Sequence, residues 1–285
     1  MPEFPDISLY IERLTAHLVG QPLEQVRVAS LFVVRTAVPP LSTAHGRTVV
    51  GFERIGKRIV FDMGDELFLV LHLMIAGRLR WRDRGTAIHK KLGLLAFDFP
   101  HGSLMLTEAS SKKRASLHVI QGRAALADVN PGGIDVFESS LAEFSAAITH
   151  ENHTIKRTLT DPRVLDGIGN AYSDEILHHA RLSPARLTQK LTAAELEQLH
   201  ESCKYVLKLW LDKLREELGP ENFPNKVTAF HEGMAVHGRH GKECPTCGAK
   251  VQRIAYADNE TNYCARCQTG GKLLADRSLS RLLRD

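Results

Sequence analysis

Four cysteines near the carboxyl end, Cys244, Cys247, Cys264 and Cys267, stand in the pattern C-x2-C-x16-C-x2-C. Thiolates two residues apart on a tight turn can point at one ion. Two such knuckles, closed on each other by a hairpin, make a tetrahedral four-sulfur site suited to zinc. Pro245 and Gly248 supply the turn chemistry, and the intervening VQRIAYA alternates as a strand does. With all four positions taken by protein, the ion, one Zn2+ per chain, is structural rather than catalytic. The fifth cysteine, Cys203, lies in an amphipathic helical run and reads as a core residue.

The opening Met1-Pro2-Glu3 offers a second chemistry. Proline is small enough for Met1 to be removed, which would expose a secondary amine with a pKa of roughly 8 or lower. Such an amine can attack C1′ of a deoxyribose, displace a base and form an iminium ion. The iminium acidifies the C2′ proton and permits strand cleavage by elimination. Glu3 could protonate the ring oxygen or shuttle protons between these steps. A third signal is DGIGNAYSDE, where Gly167 and Gly169 let the chain turn sharply before a helix starting near Asn170. Helix-start amides together with the Asn170 side chain form a phosphate site.

The elements that must position these groups follow from periodicity. Ile7, Leu9, Tyr10, Leu14 and Leu18 space a helical stripe over 7–18, with Gly20 as its stop. From about 23 to 120, short β-branched or alternating runs separated by turn pieces predict seven or so strands in an antiparallel sandwich or barrel. The Asn-Pro-Gly-Gly of ADVNPGGIDVFESS reads as a linker, and helices dominate beyond it up to Gly219-Pro220. The expectation is an α+β multidomain chain. A β-rich catalytic domain takes 1–130, a linker 131–140, a helical DNA-binding domain 141–225 and a zinc finger 236–270.

Composition agrees with a globular chain of 285 residues, 43% hydrophobic and 25% charged. No apolar run of about 18 residues or more predicts a membrane span, and the acids among the first residues argue against a secretory signal. Cysteines gathered in a metal pattern rather than a disulfide framework point to a reducing, cytoplasmic setting. The net charge of +4 permits a nucleic-acid partner.

The start PEFPDISLYIERL, the segment GIGNAYSDEILHHARLSPAR and the stretch VHGRHGKECPTCG…NYCARCQ together resemble the Fpg/Nei family of DNA glycosylases, in the family's order and across nearly the whole chain. The resemblance implies a helix–two-turn–helix module followed by a zinc finger. It also implies base-excision-repair glycosylase and AP-lyase activity, with Pro2 as nucleophile, Glu3 as the adjacent acid and Lys57 as a catalytic lysine in a hairpin turn. Lys156 matches a phosphate-contacting lysine, and His89 falls where the family has a DNA-contacting histidine. Damaged double-stranded DNA is the implied partner, with single-stranded or AP-site DNA as a further substrate, and the chain is expected to be a monomer.

Four positions depart from the family pattern. Only Met74 or Ile75 can serve as the wedge that fills the gap left by an everted base. In SSKKRASL, Lys113 and Arg114 keep positive charge for phosphates, but Ala115 stands where an aromatic would. Asn259 replaces the finger arginine, with Asp258 and Glu260 beside it. GPENFPNKVTAFHEG stands where bacterial Fpg has a long loop capping 8-oxoguanine. The departures favour unpaired, bulky or crosslinked bases, or alternatively a weakly active or non-catalytic damage-binding protein.

Overall fold

The computed structural model describes residues 1–225, 227, 231–256 and 259–274, and the side chains of Tyr256 and Asn259 are outside that description. The chain divides into two compact units, the first comprising Met1–Pro131 and Trp210–Thr228, the second the remainder.

The first unit opens with α1 (Phe4–Leu18), entered through Pro5 and an acidic first turn and burying Ile7, Tyr10, Leu14 and Leu18. Eight strands follow: β1 (Gln25–Val28), β2 (Gly51–Ile55), β3 (Arg58–Asp62), β4 (Leu67–His72), β5 (Gly77–Arg82), β6 (Gly93–Phe99), β7 (Gly102–Glu108) and β8 (Ser116–Gln121). They form two antiparallel four-stranded sheets, β1-β6-β7-β5 and β2-β3-β4-β8, so the architecture is an open sandwich rather than a closed barrel. Phe61, Leu69, Leu71, Phe97, Leu104 and Leu106 belong to one large core cluster. The opposite face of the second sheet buries Val60, Phe68 and Val70 against Leu126 of a short α2 (Arg123–Ala127). Burial on both faces explains why LFLVLHL reads as a continuous apolar run.

Residues after Trp210 also belong to this unit. Leu211 and Leu214 pack on Leu9, and Arg215 forks onto Glu12 at 2.5 and 3.1 Å. The segment 219–225 and residue 227 are stitched down along their length. Arg13 donates to the carbonyls of Gly219 (2.9 Å) and Pro220. Phe223 is flanked by Tyr10, His17 and Trp81. The Trp81 amide donates to Asn225 Oδ1 at 2.9 Å, and Arg78 Nε donates to the Val227 carbonyl at 2.5 Å.

The second unit holds α3 (Leu141–Thr149), α4 (Ile155–Thr160), α5 (Asn170–His179), the first part of α6 (Ala193–Leu218), the hairpin β9 (Val251–Tyr256)–β10 (Asn259–Cys264) and α7 (Ala265–Thr269). The Ser140–Glu143 capping box starts α3. Residues 132–140, expected as a linker, are built into this unit instead. Gly133 and Ile134 donate backbone bonds to Pro162 and Val164, and Val136 is buried. A Cβ at Gly133 would lie 2.5 Å from the Pro162 carbonyl, so the glycine that suggests flexibility serves a close backbone approach. The sequence boundary at 225 shifts as well, because α6 changes unit at Trp210. Among the described residues, no helix is long and apolar enough to cross a membrane.

Candidate active site and nucleic-acid interface

In the first unit, Glu3 is the residue preceding α1, and its amide donates to Asp6 Oδ2 at 2.9 Å. Pro2, Glu3 and Asp6 are all buried. The α-amine of Met1 is pushed below its ordinary value, mainly by burial; Glu3 and Asp6 oppose the shift, and Arg78 and Lys57 add to it.

Lys57 lies in the two-residue turn Gly56-Lys57 joining β2 and β3, where Gly56 has φ 62°. Its charge reaches both the amine and His72. His72, paired across strands with Arg58, is pushed down to about 4 by burial and by Arg58, Lys57 and His118, and is therefore a neutral imidazole at pH 7. His118 is shifted downward by burial and by Arg58 and Arg35. The result is a cationic corner formed by Lys57, Arg58 and Arg35 around two neutral histidines.

Between β4 and β5, Met74 adopts a left-handed conformation (φ 53°), and the turn closes with the Gly77 amide bonded to the Leu73 carbonyl at 2.9 Å. Ile75 is 58% exposed at the tip, whereas Met74 is half-buried, so Ile75 is the side chain presented to solvent. Arg78 fastens the turn through the carbonyls of Ile75 (3.2 Å) and Gly77 (2.7 Å).

The loop after β7 separates residues that the sequence grouped together. Glu108, buried, accepts from the amides of Arg114 and Ala115, and Lys113 Nζ donates to its carbonyl. Arg114 projects into solvent, while Ala115 is 2% exposed and part of the main core. Ala115 is therefore no shortened contact residue at the surface; the core occupies that position. His89 is exposed on the loop after β5, with Nδ1 accepting the amides of Lys91 (3.2 Å) and Leu92 (3.1 Å).

In the second unit, Gly167 has φ 77° and Gly169 precedes α5, so the turn expected before Asn170 is present. The Asn170 side chain donates to the Glu260 carbonyl at 2.9 Å, fixing the helix start to β10. Lys156 Nζ donates to Asn170 O (2.7 Å), Ser173 Oγ (2.8 Å) and Asp174 Oδ1 (2.5 Å). Its three protons are thus engaged inside the module, and its side chain is only 12% exposed. Asp174 also accepts from His237 Nδ1 (2.8 Å) and the Asn262 amide (3.1 Å), and Glu175 accepts from the amides of Ala235, Val236 and His237. Glu260 is held by Asn262 and Arg253. The Asn259 backbone pairs with Tyr256, but its side chain and all of Asp258 lie outside the described residues.

The four cysteine sulfurs lie within 4.8 Å of one another, with Cys247–Cys264 at 3.4 Å and Cys244–Cys267 at 3.9 Å. A tetrahedral ion with Zn–S bonds of about 2.3 Å needs sulfur separations of about 3.8 Å, so the donor set fits zinc. The Ala249 amide, donating to the Cys247 sulfur, pulls that thiol down to about 7 and favours the ligating thiolate. Cys203 is fully buried on α6, apart from this cluster.

The sequence patterns do not single out Asp6, His72, Arg78 or Asp174. Asp6 in the first turn of α1, and His72 just before the wedge turn, carried a positional signal; Arg78 and Asp174 acquire their roles only through distant partners.

Three family descriptions match the chain. The formamidopyrimidine-DNA glycosylase N-terminal domain covers residues 1–114, its H2TH domain 134–215, and the zinc finger found in FPG and IleRS 241–270. An uncharacterized formamidopyrimidine-DNA glycosylase-like protein of Mycobacterium tuberculosis is 44% identical over 156 residues, which is 55% of this chain and 94% of that protein. The formamidopyrimidine-DNA glycosylase of Geobacillus kaustophilus is 29% identical over 94% of this chain and 100% of its own length. Among solved structures, the Lactococcus lactis enzyme non-covalently bound to AP-site DNA is similar with a TM-score of 0.80 and 25% identity, over 94% of this chain and 99% of that one. The three matches take in the buried Pro2-Glu3 start, the glycine-turn helix start and the four-cysteine knuckle pair in turn, and the chain belongs to the formamidopyrimidine-DNA glycosylase family.

Proposed function

We propose that this chain is a DNA-repair glycosylase that also acts as an AP lyase, working from the amine of Pro2 after removal of Met1. The observation that carries this reading is the buried Pro2-Glu3 start, where the adjoining Met1 amine feels the charges of Glu3, Asp6, Lys57 and Arg78, the surroundings a Pro2 amine would inherit once Met1 is removed. The amine's lone pair forms a bond to C1′ as the bond from C1′ to the base breaks, and the base leaves with that electron pair and takes up a proton. Glu3 protonates the ring oxygen, the ring opens, and the amine loses its proton to become an iminium. Loss of the C2′ proton then expels the 3′ phosphate by β-elimination, and water releases the amine.

DNA would be held by backbone contacts, from the α5 start near Asn170 in one unit and from Lys57, Arg58, Arg114 and His89 in the other. Lys156 serves this surface indirectly, by fixing Asn170 and Asp174. A single exposed wedge, Ile75, offsets little of the few kcal/mol that base extrusion costs. This favours lesions that are already unpaired, mismatched or single-stranded, and AP sites, over 8-oxoguanine paired with cytosine.

The test is borohydride trapping on AP-site DNA, with intact mass confirming Met1 removal. Wild type should form a covalent adduct, Pro2→Gly should slow it severely, and Glu3→Gln should suppress base excision more than AP cleavage. Equal trapping by Pro2→Gly would assign the nucleophile elsewhere, and no adduct from the processed wild type would favour the damage-binding alternative.

A further inference from the structure

The third turn of α5 brings a histidine to the metal cluster. His178 Nε2 lies 3.3 Å from Cys244 Sγ, and both residues are buried. A metal-bound cysteine sulfur is a thiolate with lone pairs and no proton, so the hydrogen must sit on Nε2. The four sulfurs already fill a tetrahedral set, which leaves the imidazole outside the coordination sphere, donating to one of its members.

We propose that His178 is a positioning residue for the zinc site, holding the Cys244 sulfur through an N–H···S bond and tying the ion to the helix that begins at Asn170. Five further hydrogen bonds, made by two side chains, make α5 and its exit the scaffold of both knuckles. Glu175 on the adjacent turn accepts the amides of residues 235–237, which lead into the first knuckle. Gln268 accepts the Cys264 amide at 2.8 Å and donates to the Leu182 carbonyl just beyond α5 at 2.9 Å. The first knuckle is thus reached through a sulfur and the second through a backbone amide. Hydrogen bonds of this kind lower the electron density on a thiolate, slow its protonation and release, and set its direction toward the ion. The inference concerns the metal and stands apart from the catalytic reading.

The test uses the full-length, zinc-loaded chain. His178→Phe keeps a ring but has no donor, whereas His178→Gln keeps an amide N–H. Transfer of zinc to a chromogenic chelator should become roughly 10–100-fold easier in the Phe variant and stay near wild type in the Gln variant. In cobalt-substituted protein, the sulfur-to-cobalt charge-transfer band of the Phe variant should move to lower energy, because an unbonded thiolate lone pair lies higher. His178→Leu, also without a donor, replaces the Phe variant if that one does not fold. Unchanged zinc transfer with an unmoved band in the donorless variant would overturn the proposal. So would a Gln variant that loses zinc as readily as the donorless one, since packing would then be the cause.

Discussion

Asp174→Asn removes one charge and almost no volume from the centre of the second unit. The carboxylate is fully buried and faces only donors: the Lys156 ammonium, the His237 ring and the Asn262 amide. However an asparagine amide turns there, its NH2 lies against at least one of these donors. Lys156, 12% exposed, keeps two neutral acceptors and no counter-ion. Removing one partner of such a buried pair costs about 3–5 kcal/mol, more than a lost neutral hydrogen bond, because the remaining charge stays desolvated. Both tryptophans, Trp81 and Trp210, belong to the first unit, so intrinsic fluorescence reports on the wrong part of the molecule. The suitable assay is native-state hydrogen exchange of the α5 amides, whose protection should fall on the order of a hundred- to a few thousand-fold. Lys156→Met in the same chain should restore part of that loss, since it removes the stranded charge. Protection within threefold of wild type, or a double variant as unstable as the sum of the singles, would refute the view that this ion pair organises the module.

Two further outcomes follow from burial. Ala115→Phe should not restore a surface aromatic; the new ring enters a filled core and should lower the urea midpoint by the equivalent of about 1–3 kcal/mol, without improving excision of a paired lesion. His72, about 4 in the folded chain against 6.5 ordinarily, takes up its proton more readily when unfolded; stability present in full above pH 6.5 is therefore lost as pH falls toward 4, by at most roughly 3 kcal/mol. Urea titrations at pH 7 and 4.5 should show this acid loss shrinking in His72→Gln.

Much of the site could be read from residue spacing, because its signals are local. The cysteine knuckles, the glycines before Asn170 and the turn holding Lys57 each fit within a few residues, and the fold supplies what their spacing demands. The strands read well for the same reason, since alternation and continuous apolar runs record which faces are covered. What escaped depends on partners far along the chain. Asp174 looks like a solvated helix acid until Lys156, His237 and Asn262 arrive from three other segments. Residues 132–140 look like a linker because bonds to Pro162 and Val164 leave no mark on composition. Ala115 reads as a substitution in a contact loop, although its position is set by the buried carboxylate of Glu108.

The stitched segment before residue 228 has a thermodynamic corollary. In this family resemblance it stands where bacterial Fpg carries its base-capping loop, yet Arg13, Arg78, Phe223 and the Trp81 amide already fasten it to the β-rich unit. A loop that must become ordered over its ligand gives up about 1–2 kcal/mol of conformational entropy per residue at the moment of binding. For residues 219–225 and 227 that loss is incurred when the chain folds, so these residues would add no coupled-folding contribution to the capture of a base. Their share of the heat-capacity change on binding should then be small. Discrimination among lesions would rest on the contour of a wall that is preorganised before any base arrives.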